Sequence, residues 1–214
     1  MKTFCKLRLI TNIKLMKRPL VNPKNSKNIK LKKLIDFYNE TLGFCPNSIK
    51  TMYLRPEIAY SFIELNKAVM SNKGNVTSEL KRMIGFISSN VSGCNYCKAH
   101  TIRAAERYGA SKKKIEKIWE YKTSDLFTKK EKTALEFAYK SSITPNAVDD
   151  KIANELRKYW KDGEIVEILG VISLFGFLNR WNDSMGTEIE KPAYESGGKL
   201  IPKKKWNPNK HIYK

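Results

Sequence analysis

From about Leu31 to Met185, apolar residues recur at three- and four-residue spacings, the signature of helices that each bury one face. The pattern predicts helices over 31–41, 47–54, 56–71, 78–91, 94–108, 112–122, 129–142, 149–160 and 163–182. The punctuation agrees. Pro46 and Pro56 suit first helical turns, where a missing N–H is not needed. Thr128 followed by Glu131 reads as a capping box. Gly109 stands where a left-handed helix end is expected, and Ser111 and Asp162 are placed to cap the helices after them. No segment keeps strand alternation, and the hairpin-type pair Asp162-Gly163 falls between two helical patterns. The prediction is an all-α bundle of eight or nine helices. From Lys191 onward, Pro192, Gly197-Gly198, Pro202 and Pro208 break every period, so an extended tail is expected. The stripe Ile165–Phe177 is apolar on nearly every side, which predicts a central or interface helix and a homo-oligomer.

Charge divides the chain into three. Residues 1–33 hold eleven basic residues and no acidic one, and residues 191–214 hold seven lysines against Glu195. That leaves 23 basic and 20 acidic residues in between, so 17 of the 20 net positive charges belong to the ends. The expected organisation is a basic extension (1–33), a helical domain (34–190) and a basic tail (191–214). A near-neutral body with basic ends argues against a specific nucleic-acid reader. No run reaches the roughly 18 apolar residues of a membrane span. A cytoplasmic location is the default expectation. Residues 1–15 are acid-free and mildly amphipathic, which leaves open a transit peptide or a true start at Met16; interrupting lysines fit a secretory signal poorly.

Chemistry concentrates in Gly93-Cys94-Asn95-Tyr96-Cys97-Lys98-Ala99-His100-Thr101. Two thiols three residues apart can close a disulfide where the backbone bends into a helix, and helix-terminal N–H groups favour a thiolate. His100 follows Cys97 by three positions, about 60° round a helix, so its imidazole can approach the sulfur. A nucleophilic sulfur, a resolving sulfur and a nearby base make a dithiol redox centre. Structural zinc wants four ligands, usually two Cys/His pairs, and a second Cys-x-x-Cys is missing. No metal and no cofactor are therefore expected. Cys5 and Cys45 read as ordinary reduced cysteines, and Trp119, Trp160 and Trp181 as core residues at helix ends.

The stretch Ser78 to Tyr121, with its Gly-Cys-x-Tyr-Cys core and the following Arg-Ala-Ala-Glu-Arg-Tyr-Gly-Ala, resembles the carboxymuconolactone decarboxylase superfamily, in its alkylhydroperoxidase D-like, peroxidase-related branch. The helix at Phe127–Ala138 and Leu178-Asn179-Arg180-Trp181-Asn182-Asp183 resemble that branch too. The resemblance spans roughly 34–190. It implies an all-helical, oligomeric peroxidase in which the second cysteine, Cys97, attacks peroxide and the first, Cys94, resolves the product. An external dithiol, not identifiable from the sequence, would then regenerate the pair. The family's proton relay is a glutamate twelve residues before the first cysteine and a histidine four after the second. Here those positions hold Arg82 and Thr101, with Glu79 one turn before the former and His100 one residue before the latter. Arg82 is expected to make Cys97 more acidic without accepting a proton itself, leaving His100 as the base and Glu79 as a second candidate if it faces inward. The expected function is a thiol-dependent hydroperoxidase or disulfide reductase. The alternatives are a non-catalytic redox sensor or scaffold and, on the resemblance alone, a decarboxylase.

Overall fold

The computed structural model describes residues 16–25 and 29–212, and its secondary structure is all helical. The helices are α1 (Ile29–Leu42), α2 (Asn47–Met52), α3 (Pro56–Met70), α4 (Ser78–Val91), α5 (Asn95–Arg107), α6 (Lys112–Glu116), α7 (Lys129–Ser142), α8 (Asp150–Tyr159), α9 (Asp162–Met185) and α10 (Lys191–Leu200). The expected helix over 112–122 is split into α6 and a 3-10 turn at Ile118–Glu120. Thr128 and Glu131 form the full capping box of α7, and the Ser111 hydroxyl accepts from Lys114 N–H at 3.2 Å. Two ends differ from expectation by one residue. Pro46 precedes α2 instead of opening it, and Asp162 is the first residue of α9, where the Glu164 carboxylate accepts from Lys161 N–H at 2.8 Å.

Helix α4 is the axis of the core. Leu80, Met83, Ile84 and Ile87 recur at helical spacing and are buried beneath α5, α7 and α9. Burying each such side chain contributes roughly 1.5–3 kcal/mol. Gly85 lets α9 approach: a Cβ there would lie 2.4 Å from the Phe175 ring. Tyr38, Ile49, Met52, Phe62 and Ile63 from α1–α3 form a second apolar cluster against Leu174 of α9.

The extended tail expected from Lys191 is corrected over its first ten residues, which form α10 and pack against α5. Ala193, Ser196, Gly197 and Leu200 make a buried face at helical spacing. The Trp206 ring lies so close to Gly197 that a Cβ would meet it at 2.7 Å. The glycines that looked like breaks are the small face that admits this ring. The chain then returns across the molecule, and Ile189 N–H donates to the His211 carbonyl at 2.9 Å.

Candidate dithiol site

The turn between α4 and α5 places the two thiols. Gly93 takes φ +74°, and Cys94 N–H donates back to Ser89 O at 3.1 Å, closing α4. Cys94 is then the N-cap of α5, its Sγ accepting from Cys97 N–H at 3.4 Å. The helix-terminal N–H thus points at Cys94. Cys97 lines a pocket, and Asn182 of α9 donates an amide N–H to its Sγ at 3.4 Å. Burial pushes the Cys97 thiol well above the ordinary range, the neighbouring Cys94 sulfur adds to this, and the Asn182 hydrogen bond opposes it. The expectation of an acidified Cys97 is therefore not met. The sulfurs are unbridged, and Cys45 is a third free thiol, 3.5 Å from the Tyr53 hydroxyl. Cys5 lies outside the described residues.

His100 is buried one turn beyond Cys97, on the same pocket wall. Its Nδ1 lies 2.9 Å from Tyr96 O and its Nε2 lies 2.8 Å from Glu190 Oε2. A carbonyl can only accept, so Nδ1 carries hydrogen, while Nε2 and Glu190 Oε2 approach as an ion-pair contact without hydrogen-bond alignment. Glu190 also accepts from the Tyr96 hydroxyl at 3.0 Å and from Asn47 N–H. Burial pushes its carboxyl up, but His100 and the backbone N–H groups of Asn47 and Glu190 itself outweigh that and hold it below the usual value. The Tyr96 ring stacks on the imidazole with centroids 4.0 Å apart. Sequence reasoning missed Glu190, although Glu190-Lys191-Pro192 is the same proline-marked helix start recognised at Pro56.

The other expected relay residues fall in three places. Arg82 lines the pocket, 5 % exposed, with its guanidinium 3.9 Å from the Tyr108 ring centroid. Thr101 also lines it, but its hydroxyl donates back to Cys97 O and Lys98 O within the helix. Glu79 does not face the thiols: Lys114 holds its carboxylate at 3.1 Å, in a cluster with Glu131. His211, read as a tail residue, is buried, with Nδ1 2.7 Å from Thr187 O. Asp183 pairs with Lys210 at 3.0 Å. Among the described residues, no group of three His, Cys, Asp or Glu side chains gathers as a metal set.

The pocket itself is mostly apolar. Phe37, Tyr38, Phe62, Tyr96, Tyr108 and Phe175 contribute aromatic rings to its wall, and its cavity volume is about 90 Å³. Of the two thiols only Cys97 lines it. A buried sulfur lining an apolar pocket, with the His100–Glu190 contact on the same wall, can attack an electrophilic atom while the imidazole exchanges a proton with what leaves.

Residues 56–140 match the carboxymuconolactone decarboxylase family. The crystal structure of the debrominase Bmp8 is 35% identical, with a TM-score of 0.78 over 83% of this chain and 95% of that one. This chain belongs to the carboxymuconolactone decarboxylase family. A cysteine-to-alanine variant of Bmp8 in complex with 2,3,4-tribromopyrrole is 33% identical, with a TM-score of 0.81 over 87% of this chain and all of that one. The alkylhydroperoxidase AhpD core of a peroxidase-related protein from Ralstonia eutropha JMP134, at 18% identity, shares the fold, with a TM-score of 0.69 over 91% and 98% of the two chains. The uncharacterized protein YnjA of Escherichia coli is 32% identical over 93 residues, 43% of this chain, which therefore spans about half the length of that relative (50%). The family match contains Arg82, Cys94, Cys97 and His100, whereas Asn182, Glu190 and His211 lie beyond it. Asn182 on the sulfur and Glu190 on the imidazole thus come from outside the family segment, whereas Cys94 and Tyr96, their other neighbours, lie within it.

Proposed function

We propose that this protein is a thiol-dependent oxidoreductase in which Cys97 attacks the substrate and Cys94 resolves the product. The observation that carries this reading is the asymmetry of the pair: Cys97 lines the apolar pocket, while Cys94 is capped into the turn behind it. With a hydroperoxide, the Cys97 thiolate takes the distal oxygen and becomes a sulfenic acid, and the leaving alkoxide takes a proton. The Cys94 thiol then displaces hydroxide, a disulfide forms, and the second proton completes water. An external dithiol restores both thiols. The raised Cys97 thiol requires its proton to leave as substrate binds, and the His100–Glu190 pair is the local group able to exchange one.

The aromatic pocket and the debrominase relative favour a second substrate for the same thiols, a halogenated aromatic ring. Two thiols and an aryl halide would give the dehalogenated ring, the disulfide and hydrogen halide, which balances electrons and protons. The non-catalytic sensor and the decarboxylase have no comparable support from the pocket.

The test is turnover of reduced protein with dithiothreitol and either cumene hydroperoxide or a bromopyrrole, following peroxide loss or bromide release. Consumption abolished in Cys97→Ser supports the oxidoreductase, and the consumed substrate chooses between the readings. Equal rates with and without Cys97 refute both.

A further inference from the structure

Arg82 is a buried cation without a counter-ion. No carboxylate among the described residues pairs with it, and Glu79, one turn earlier on α4, is committed to Lys114. Its Nη1 donates to Ser78 O at 3.3 Å, the guanidinium packs on and hydrogen-bonds the Tyr108 side chain, and its Nε is buried with no hydrogen-bond partner. A buried guanidinium with no carboxylate partner costs several kcal/mol of lost hydration, on the order of what other buried charges recover by pairing. Three more polar atoms of the same pocket make no hydrogen bond: the Tyr38 hydroxyl from α1, Asn182 Oδ1 from α9 and His100 Nε2 from α5, the last of which sits 2.8 Å from Glu190 Oε2. The hydroxyl of Thr101 is already engaged. Arg82, Tyr38 and Asn182, on three helices, therefore each bring one unspent hydrogen-bonding atom to a largely apolar pocket that Cys97 also lines.

We infer that the pocket selects an aromatic ligand carrying one anionic oxygen group, a carboxylate or phenolate, which Arg82 binds as counter-ion. The ring lies between the aromatic walls, where Phe62, Phe175 and Tyr96 offer flat apolar surface. The Tyr38 hydroxyl and Asn182 Oδ1 add one donor and one acceptor, so a second polar substituent on the ring is accommodated. Arg82 acts here as a specificity residue. The inference rests on the proposed function only for the identity of the reacting sulfur.

Calorimetry on the reduced protein tests it with two unreactive probes of equal shape, 4-methylbenzoate and 4-methylbenzyl alcohol. The carboxylate is expected to bind about tenfold or more tightly than the alcohol, the scale of one charge-assisted hydrogen bond. Arg82→Gln should remove that preference while leaving alcohol binding within about twofold. Carboxylate protection of Cys97 from iodoacetamide in the unaltered protein, with little protection by the alcohol, gives a readout that does not depend on the variant folding. Equal binding of both probes, no binding of either, or an undiminished preference in Arg82→Gln would overturn the inference. Peroxide-driven disulfide formation, measured on the same preparation, reports on the dithiol separately: carboxylate binding without it sinks the proposed function and leaves the anion site standing.

Discussion

Replacing Glu190 by glutamine removes a charge from the centre of the site while preserving shape. In the folded protein the carboxylate meets His100 Nε2 at 2.8 Å, the Tyr96 hydroxyl at 3.0 Å and Asn47 N–H, and its side chain is 11 % exposed. Truncating one partner of a buried ion pair costs about 3–5 kcal/mol. Glutamine keeps one acceptor for Tyr96 and Asn47, so the charged contact to His100 is the main loss, about 1.5–3 kcal/mol. The Tm should fall by roughly 3–12 °C for a chain of this length. The sign of the pH dependence follows from the carboxyl being held below its ordinary value of 4.5. Its stabilisation is complete above that value and is lost as pH falls through the folded-state value. Urea unfolding at pH 7 should therefore show the full gap between Glu190→Gln and the unaltered protein, and the gap should narrow between pH 5 and pH 3. A difference below about 0.5 kcal/mol at pH 7, within the range of ordinary surface substitutions, would refute the pairing. A gap that persisted unchanged at pH 3 would refute its electrostatic origin.

The Cys97 thiol, raised by burial, should react slowly with iodoacetamide at neutral pH and accelerate only above the ordinary thiol range; Asn182→Ala, which removes its opposing hydrogen bond, should slow it further, as read by peptide mass spectrometry. Gly85→Ala should destabilise the protein by about 1–3 kcal/mol in urea, because the methyl group would sit 2.4 Å from Phe175 in a packed core. Val166, Leu169 and Phe177 of α9 and Ile58 and Leu65 of α3 are exposed apolar residues, so light scattering should report a mass above the 24.7 kDa monomer, and Leu169→Glu with Phe177→Glu should lower it. A monomer at micromolar concentration would remove α9 as an interface.

Much of the fold was legible because it rests on local signals. The apolar period, the Thr128–Glu131 box and the Gly93 turn each act within a few residues, and each stands where the sequence puts it. The placement of Cys94, Cys97 and His100 along the start of α5 was legible for the same reason. The residues that finish the site were not. Glu190 reaches His100 across ninety positions, and Asn182 reaches Cys97 across 85, through packing of α9 and α10 on α5 that no local period encodes. Glu79 misled because its spacing on α4 says nothing about Lys114, whose approach depends on how α6 folds back. The tail misled because Gly197 and Gly198 disfavour a helix on their own, while the Trp206 ring packed on Gly197 needs the missing side chain.

The central claim is that Cys97 is the attacking sulfur and Cys94 the resolving one. Its most direct test is to treat reduced Cys94→Ser with one equivalent of hydrogen peroxide in the presence of dimedone and map the adduct by peptide mass spectrometry. The account predicts a sulfenic-acid adduct on Cys97, and in the unaltered chain a Cys94–Cys97 disulfide with no adduct. An unmodified Cys97 in the variant, or an adduct confined to Cys45, would contradict it.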